Sequence, residues 1–190
     1  MPLGRARDGL ARVLDIETAA AMASYLSHAS ERLDLSHASE RLDAGEAVSG
    51  PAAQRFVSAA RDAAARYEGL FLSPRQARAL LTDPALQVHD NPQAFLACNY
   101  DPAKALCHPD RTAGKTVSHP NLDRCNPACA NIARTDQQAA QLRDRALALE
   151  TQAAHVPQPV GDRLRATAVR LRDQAGKHDR TRITTGKDAG

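Results

Sequence analysis

Cys98-Asn-Tyr-Asp-Pro-Ala-Lys-Ala-Leu-Cys107 and, after seventeen intervening residues, Cys125-Asn-Pro-Ala-Cys129 hold every cysteine of the 190-residue chain. The spacing C-x8-C-x17-C-x3-C sets two short ligand-type intervals on either side of a longer loop. A four-thiolate metal site needs this arrangement when two chain segments supply two sulfurs each. Asn126-Pro127 reads as a helix start, with Cys125 just before it and Cys129 in its first turns. Two sulfurs four residues apart would then face one way, and the helix N-terminus would favour their thiolates. In a reducing cytosol such a group of thiols favours a metal over disulfides or unlinked buried thiols. Structural Zn2+ on Cys98, Cys107, Cys125 and Cys129 is therefore expected, with a cytoplasmic location. Neighbouring residues seldom both ligate one tetrahedral ion, so His108 is expected to support the site or touch a phosphate rather than replace Cys107. His119 reads as a loop histidine.

The rest of the chain carries little that is chemically pointed. There is no glycine-rich phosphate loop, no G-x-S-x-G, no H-E-x-x-H and no H-x-E…P-C-x-x-C deaminase pattern, so no catalytic residue is expected. Hydrophobic residues make up 43% of the chain, but many are alanine, Trp is absent and aromatics are 3%, so a metal staple would add useful stability to a modest core. Net charge is +3, distributed unevenly: residues 1–120 carry 13 Lys and Arg against 14 Asp and Glu, and residues 121–190 carry 12 against 8. A basic C-terminal third suits phosphate contacts only modestly, because acids are interspersed. The apolar run from Val13 to Met22 includes Asp15 and Glu17, which excludes a signal-peptide core and a membrane span.

Periodicity divides the chain into a helical segment at 1–85, a cysteine-rich metal-binding region at 86–135 and a helical hairpin with a polar tail at 136–190. The fold class expected is mostly α. The first segment contains a perfect duplication, Leu26 to Asp34 repeated as Leu35 to Asp43. Nine residues turn a helix by about 900°, half a turn past two full ones, so the second copy shows its leucines on the opposite face. It is expected to be dispensable, with His28 and His37 solvated. Gly45 reads as a helix stop, residues 51–67 as a helix burying Phe56, Ala60 and Ala63, and Ser73-Pro-Arg-Gln76 as a capping box. Leu86 to Asp90 reads as extended, followed by a helical turn ending at Leu96. Thr135-Asp136 caps a helix carrying Leu142, Ala146 and Leu149, Pro157-Gln-Pro159 breaks it, and a second helix carries Leu164, Ala168, Leu171 and Ala175. The pair forms an antiparallel hairpin with arginines outside.

The stretches Asp90-Asn-Pro-Gln-Ala-Phe-Leu-Ala-Cys98-Asn-Tyr-Asp-Pro-Ala-Lys-Ala-Leu-Cys107-His-Pro-Asp-Arg111 and Cys125-Asn-Pro-Ala-Cys129-Ala-Asn-Ile-Ala-Arg-Thr-Asp136 resemble the C-terminal region of long actinobacterial proteins associated with mobile elements and often labelled integrases. The likeness runs from about Ser49 to Thr184. Tyrosine recombinases use an H-x-x-R pair with a tyrosine nucleophile downstream. His108-Pro-Asp-Arg111 has that spacing, but Tyr25, Tyr67 and Tyr100 all precede it, so recombinase catalysis is not carried over. What the resemblance implies is an accessory, zinc-stabilised DNA-binding module for integration or recombination. Arg111, Arg124 and Arg134 near the metal, and Arg143, Arg145, Arg163, Arg165, Arg170 and Arg172 on the hairpin, would touch phosphates. The alternative is a module whose hairpin docks a recombinase, integrase or regulator.

Overall fold

The computed structural model describes residues 35–67, 83–108 and 119–185, all within the second of two units into which the chain divides, Leu33–Gly190. The chain before Leu35, the capping box at Ser73, Arg111 and the last five residues lie outside the described residues. Among the described residues four α-helices and four strands follow in order: α1 Leu35–Asp43, β1 Val48–Ser49, α2 Ala53–Tyr67, β2 Val88–Asn91, β3 Leu96–Asn99, β4 Ile132–Thr135, α3 Asp136–Ala153 and α4 Gln158–Thr181. The class is mixed α and β, not mostly α. The strands form one antiparallel sheet ordered β1-β4-β3-β2. Its strands are two to four residues long, too short to leave an alternation legible against the turns around them.

The sheet separates two apolar clusters, and the period-2 geometry of strands decides which residues go where. Ala97, Ala133 and Val88 face α1 and α2, where Ala38, Leu42, Phe56, Val57 and Ala60 complete the core. Leu96, Cys98 and Ile132 face the other way, into a cluster with Tyr100, Ala105, Cys107 and Cys129. Directly opposed partners in an antiparallel pair share a face, so the pairs Cys98↔Ile132 and His89↔Cys98 put Ile132 and His89 beside the first cysteine.

Local chemistry explains the connections. After α1 the Glu46 amide donates to the Arg41 carbonyl at 2.9 Å and the Gly45 amide to Leu42 at 3.1 Å, while Gly45 takes φ +97, a left-handed cap that favours glycine. Gly50, at φ +100, lies so close to β4 that a Cβ would stand 2.6 Å from the Ile132 carbonyl oxygen. That oxygen also accepts the Ala52 amide at 3.0 Å, so the start of α2 is sewn to the sheet. The expected helical turn before Cys98 is instead the β2–β3 hairpin turn. The Asn91 side chain accepts the Ala94 amide at 3.1 Å, and Phe95 takes φ 52.

Thr135 caps α3 reciprocally with Gln138: the Gln138 amide donates to Thr135 Oγ1 at 3.3 Å, and the Thr135 amide to Gln138 Oε1 at 3.1 Å. α3 and α4 pack antiparallel around Ala146, Leu149 and Ala168, with Leu164 and Leu171 at the margin. Arg143 clasps Asp179 at 2.6 Å, and Glu150 pairs with Arg172 on both oxygens. The hairpin is anchored back on the sheet through Ile183, which exchanges two backbone hydrogen bonds with Val48, 2.8 and 3.0 Å.

The second copy of the nonapeptide forms α1, and its Ala38 and Leu42 lie fully inside the core with Leu35 against it, while His37 is exposed. Leu35 and Leu42, seven residues apart, lie along one face of α1, and that face meets the core. Replacing Leu42 with Ala should cost about 2–5 kcal/mol. Urea and thermal unfolding read the loss; an unchanged midpoint would contradict this packing.

Candidate metal centre and its surroundings

All four cysteines converge on one cluster although they come from three different places. Cys98 is in β3, Cys107 ends the loop that leaves β3, and Cys125 and Cys129 flank the turn that leads into β4. Antiparallel pairing of β3 with β4 brings the segments together, through Cys98↔Ile132 three residues beyond Cys129. No disulfide joins them. Cys98, Cys107 and Cys129 are buried, and Cys125 packs half-buried against them. Burial, and then the neighbouring Cys125, Cys129 and Cys107, push the Cys98 thiol up to about 12. Burial likewise raises Cys125, followed by repulsion from Cys129 and Cys107.

The sulfurs differ in their hydrogen bonds. The Asn121 amide donates to Cys107 Sγ at 3.4 Å, an interaction that suits a sulfur carrying negative charge. The Cys129 thiol donates to the Lys104 carbonyl at 3.6 Å. Among the described residues no set of three or more Cys, His, Asp or Glu side chains stands in a metal-coordinating arrangement. The four thiols are neighbours in one apolar cluster of the fold. In kind, the donor set fits a thiophilic ion: four sulfurs and no carboxylate.

Cys125 and Cys129 do not sit on a helix. The Asn126 side chain accepts the Ala128 amide at 2.9 Å and the Cys129 amide donates to the Asn126 carbonyl at 2.9 Å, closing a turn before the chain enters β4. Strand pairing on both sides of β4 outweighs the helix start that Asn-Pro suggests. His108 is engaged elsewhere, with Nε2 2.9 Å from the His119 carbonyl and its ring edge-on to Tyr100 at 6.4 Å.

Residues that no spacing announces hold the cysteine loops in place. Asn131 is wholly buried; its Nδ2 donates to the Asp101 carbonyl at 2.9 Å, and its Oδ1 accepts from Arg55 Nη2 at 3.1 Å. The same Arg55 nitrogen donates to the Ala130 carbonyl at 2.8 Å, and the Asn131 carbonyl accepts the Asn99 amide at 2.9 Å. Both cysteine-bearing segments are thus tied to α2. An isolated Asn and an Arg on a helix surface give no sequence signal for this role.

The arginines expected at phosphates are mostly committed elsewhere. Arg134 is half-buried, with Nε donating to the Phe95 carbonyl at 3.0 Å and Nη2 to Gln174 Oε1 at 3.1 Å. Arg143 and Arg172 hold the hairpin together, Arg165 pairs with Asp162 at 2.7 Å, and Arg170 bonds Thr167 at 3.0 Å. Arg124, Arg145 and Arg163 are exposed and have no carboxylate partner among the described residues.

A second polar cluster joins β1, α3 and α4. Ser49 Oγ lies 2.8 Å from His178 Nδ1, and His178 Nε2 lies 2.7 Å from Asp136 Oδ1. Asp136 also accepts the Ala47 amide at 2.8 Å and Arg182 at 2.9 Å. The residue types are those of a hydrolytic triad, but Ser49 is 3% and His178 1% exposed, so no substrate reaches the hydroxyl as it stands. The cluster works as a tie between sheet and hairpin. No helix among the described residues is long and apolar enough to cross a membrane. In comparison with known proteins, no family model, curated protein or solved structure matches the chain.

Burial alone would raise the Asp136 carboxyl, but the Ala47 amide, His178 and Arg182 together hold it below the usual carboxylate range. A depressed folded value stabilises the protein fully above the unfolded value of about 3.9, and that share is lost as pH falls through the folded value. Wild-type stability should therefore drop below about pH 4 more steeply than that of Asp136→Asn, which should be the less stable protein at neutral pH. Equal slopes in denaturant titrations across this range would contradict the assignment. His178→Ala should cost about 1–3 kcal/mol by leaving buried Ser49 without its partner.

Proposed function

We propose that this chain is a zinc-stapled binding module without catalytic residues of its own, serving a mobile-element integration or recombination protein, and that its helical hairpin docks a protein partner such as the recombinase. The observation that carries the docking reading is the pairing of the hairpin arginines. Arg143 with Asp179 and Arg172 with Glu150 neutralise the outer edge and fix the two helices against each other, leaving little charge to lie along a phosphate backbone. Leu147 and Val169, 61% and 52% exposed, lie on the same side of the hairpin as these pairs and supply apolar contact area.

Zinc is the ion that suits Cys98, Cys107, Cys125 and Cys129. Bound there, it would supply a cation that offsets thiolate repulsion, closing both cysteine segments onto the sheet; a structural site of this kind adds directly to folding energy. The cytoplasm is the compartment in which such thiols stay reduced.

DNA binding is the second reading, favoured by Arg124, Arg145 and Arg163, which are exposed and have no carboxylate partner among the described residues. Three phosphate contacts would give a log–log salt slope of roughly −3. The two readings separate in one experiment. Zinc-loaded protein titrated with duplex DNA at increasing salt should bind weakly and without sequence preference, and Arg124→Ala, Arg145→Ala and Arg163→Ala together should abolish what binding there is. A slope much steeper than −3, or tight binding that survives the triple substitution, would overturn the docking reading. Elemental analysis should find about one zinc per chain, lost on Cys107→Ser or Cys129→Ser; metal-free protein of unchanged stability would refute the staple.

A further inference from the structure

A groove of about 460 Å³ runs between α2 and the end of β3, on the opposite face of the sheet from the cysteines. Ser58, Asp62 and Arg55 of α2 form one wall, and Asn99, Tyr100 and Asp101 form the other. Alternation along β3 places Asn99 on the α2 side, opposite Val88, so its side chain projects to the groove floor. Asn99 is 5% exposed, and its Nδ2 has no acceptor among the described residues. A buried amide donor left unmade is costly, and native folds keep few of them. Its backbone is already spent on the sheet and on Asn131, and the groove is the side from which an acceptor can approach the buried amide.

The charge in the groove is also open on one side. Asp101 is matched by Lys104 at 3.1 Å and by Arg55 at 3.8 Å, and Arg55 is itself held by Ala130 and Asn131. Asp62, four residues along the helix from Ser58, is exposed and has no cationic partner among the described residues. The groove therefore has an unpaired donor buried at its floor and, among the described residues, an unmatched carboxylate at its rim, with Ala59, Ala85 and Pro102 as apolar lining.

We propose that this groove binds a basic residue within a peptide: the main-chain carbonyl accepts from Asn99 Nδ2, the guanidinium or ammonium group pairs with Asp62, and the aliphatic stem lies on the apolar lining. The site does not depend on the metal reading, since Asn99 and Asp62 lie on the other side of the sheet from the sulfurs.

The probe is N-acetylarginine amide, which carries both halves of the recognised chemistry in one small molecule; methylguanidinium, which lacks the amide, is the control. Nuclear magnetic resonance of the full-length protein should show saturable shifts of the Asn99 side-chain NH2 and of the Ser58 and Asp62 amides. Asp62→Asn and Asn99→Leu should each weaken binding by about tenfold or more, and methylguanidinium should bind at least tenfold more weakly than the probe. Asn99→Leu should leave the melting temperature unchanged or raised, because the donor it removes has no partner in the free protein. Should that variant fail to fold, Asp62→Asn, at an exposed position, still decides the question. Absence of saturable shifts, shifts centred elsewhere, or equal affinity in wild type and Asp62→Asn would overturn the proposal and leave the groove merely hydrated.

Discussion

The buried side chain of Asn131 is the constraint on which the rest of the structure depends. It has no exposure to water, and a buried amide must find its partners inside the protein. It finds them in the Asp101 carbonyl, just beyond β3, and in Arg55 on α2. Those two bonds fix the loop after Cys98 relative to the turn after Cys125, and both relative to the core helix. Everything on the far face of the sheet follows from them: the thiols are neighbours because the segments that carry them are held at one place.

From that point the sheet divides labour between its faces. Ala97 and Ala133, with their small side chains, let α1 and α2 pack close on one side, and Cys98 and Ile132 fill the other. Two small clusters with few aromatics give each face a limited apolar area, so polar ties carry more of the specificity than in a larger core. His178, reaching from α4 to Ser49 and Asp136, does for the hairpin what Asn131 does for the cysteine loops.

How much of this could be read in the sequence depended on the range of the signal. The hairpin was legible because Leu142, Ala146, Leu149, Ala168 and Ala175 repeat at helical spacing and Thr135 with Gln138 forms a local cap. Gly45 and the helix over Phe56 were legible for the same reason. The sheet was not, since strands of two to four residues leave no periodicity and their pairing joins residues far apart in sequence. Asn126-Pro127 has a helix-start signature, yet β4, paired on both edges, determines the conformation there. The grouping of the cysteines was visible in their spacing, whereas Arg55 and Asn131, which hold that group, announce themselves only through contacts 75 and 76 residues apart. The duplication of the nonapeptide is plain in the sequence, whereas the burial of Leu42 of the second copy against α2 and the sheet is not, because that contact depends on partners distant in the chain.

X-ray absorption at the zinc edge of purified, metal-loaded protein tests the central claim most directly. Four sulfur neighbours at about 2.3 Å, reduced to three in Cys125→Ser, are the result expected of thiols gathered by the β3–β4 pairing and the Asn131 tie. A shell dominated by nitrogen or oxygen, or protein that takes up no zinc while remaining fully folded, would contradict it.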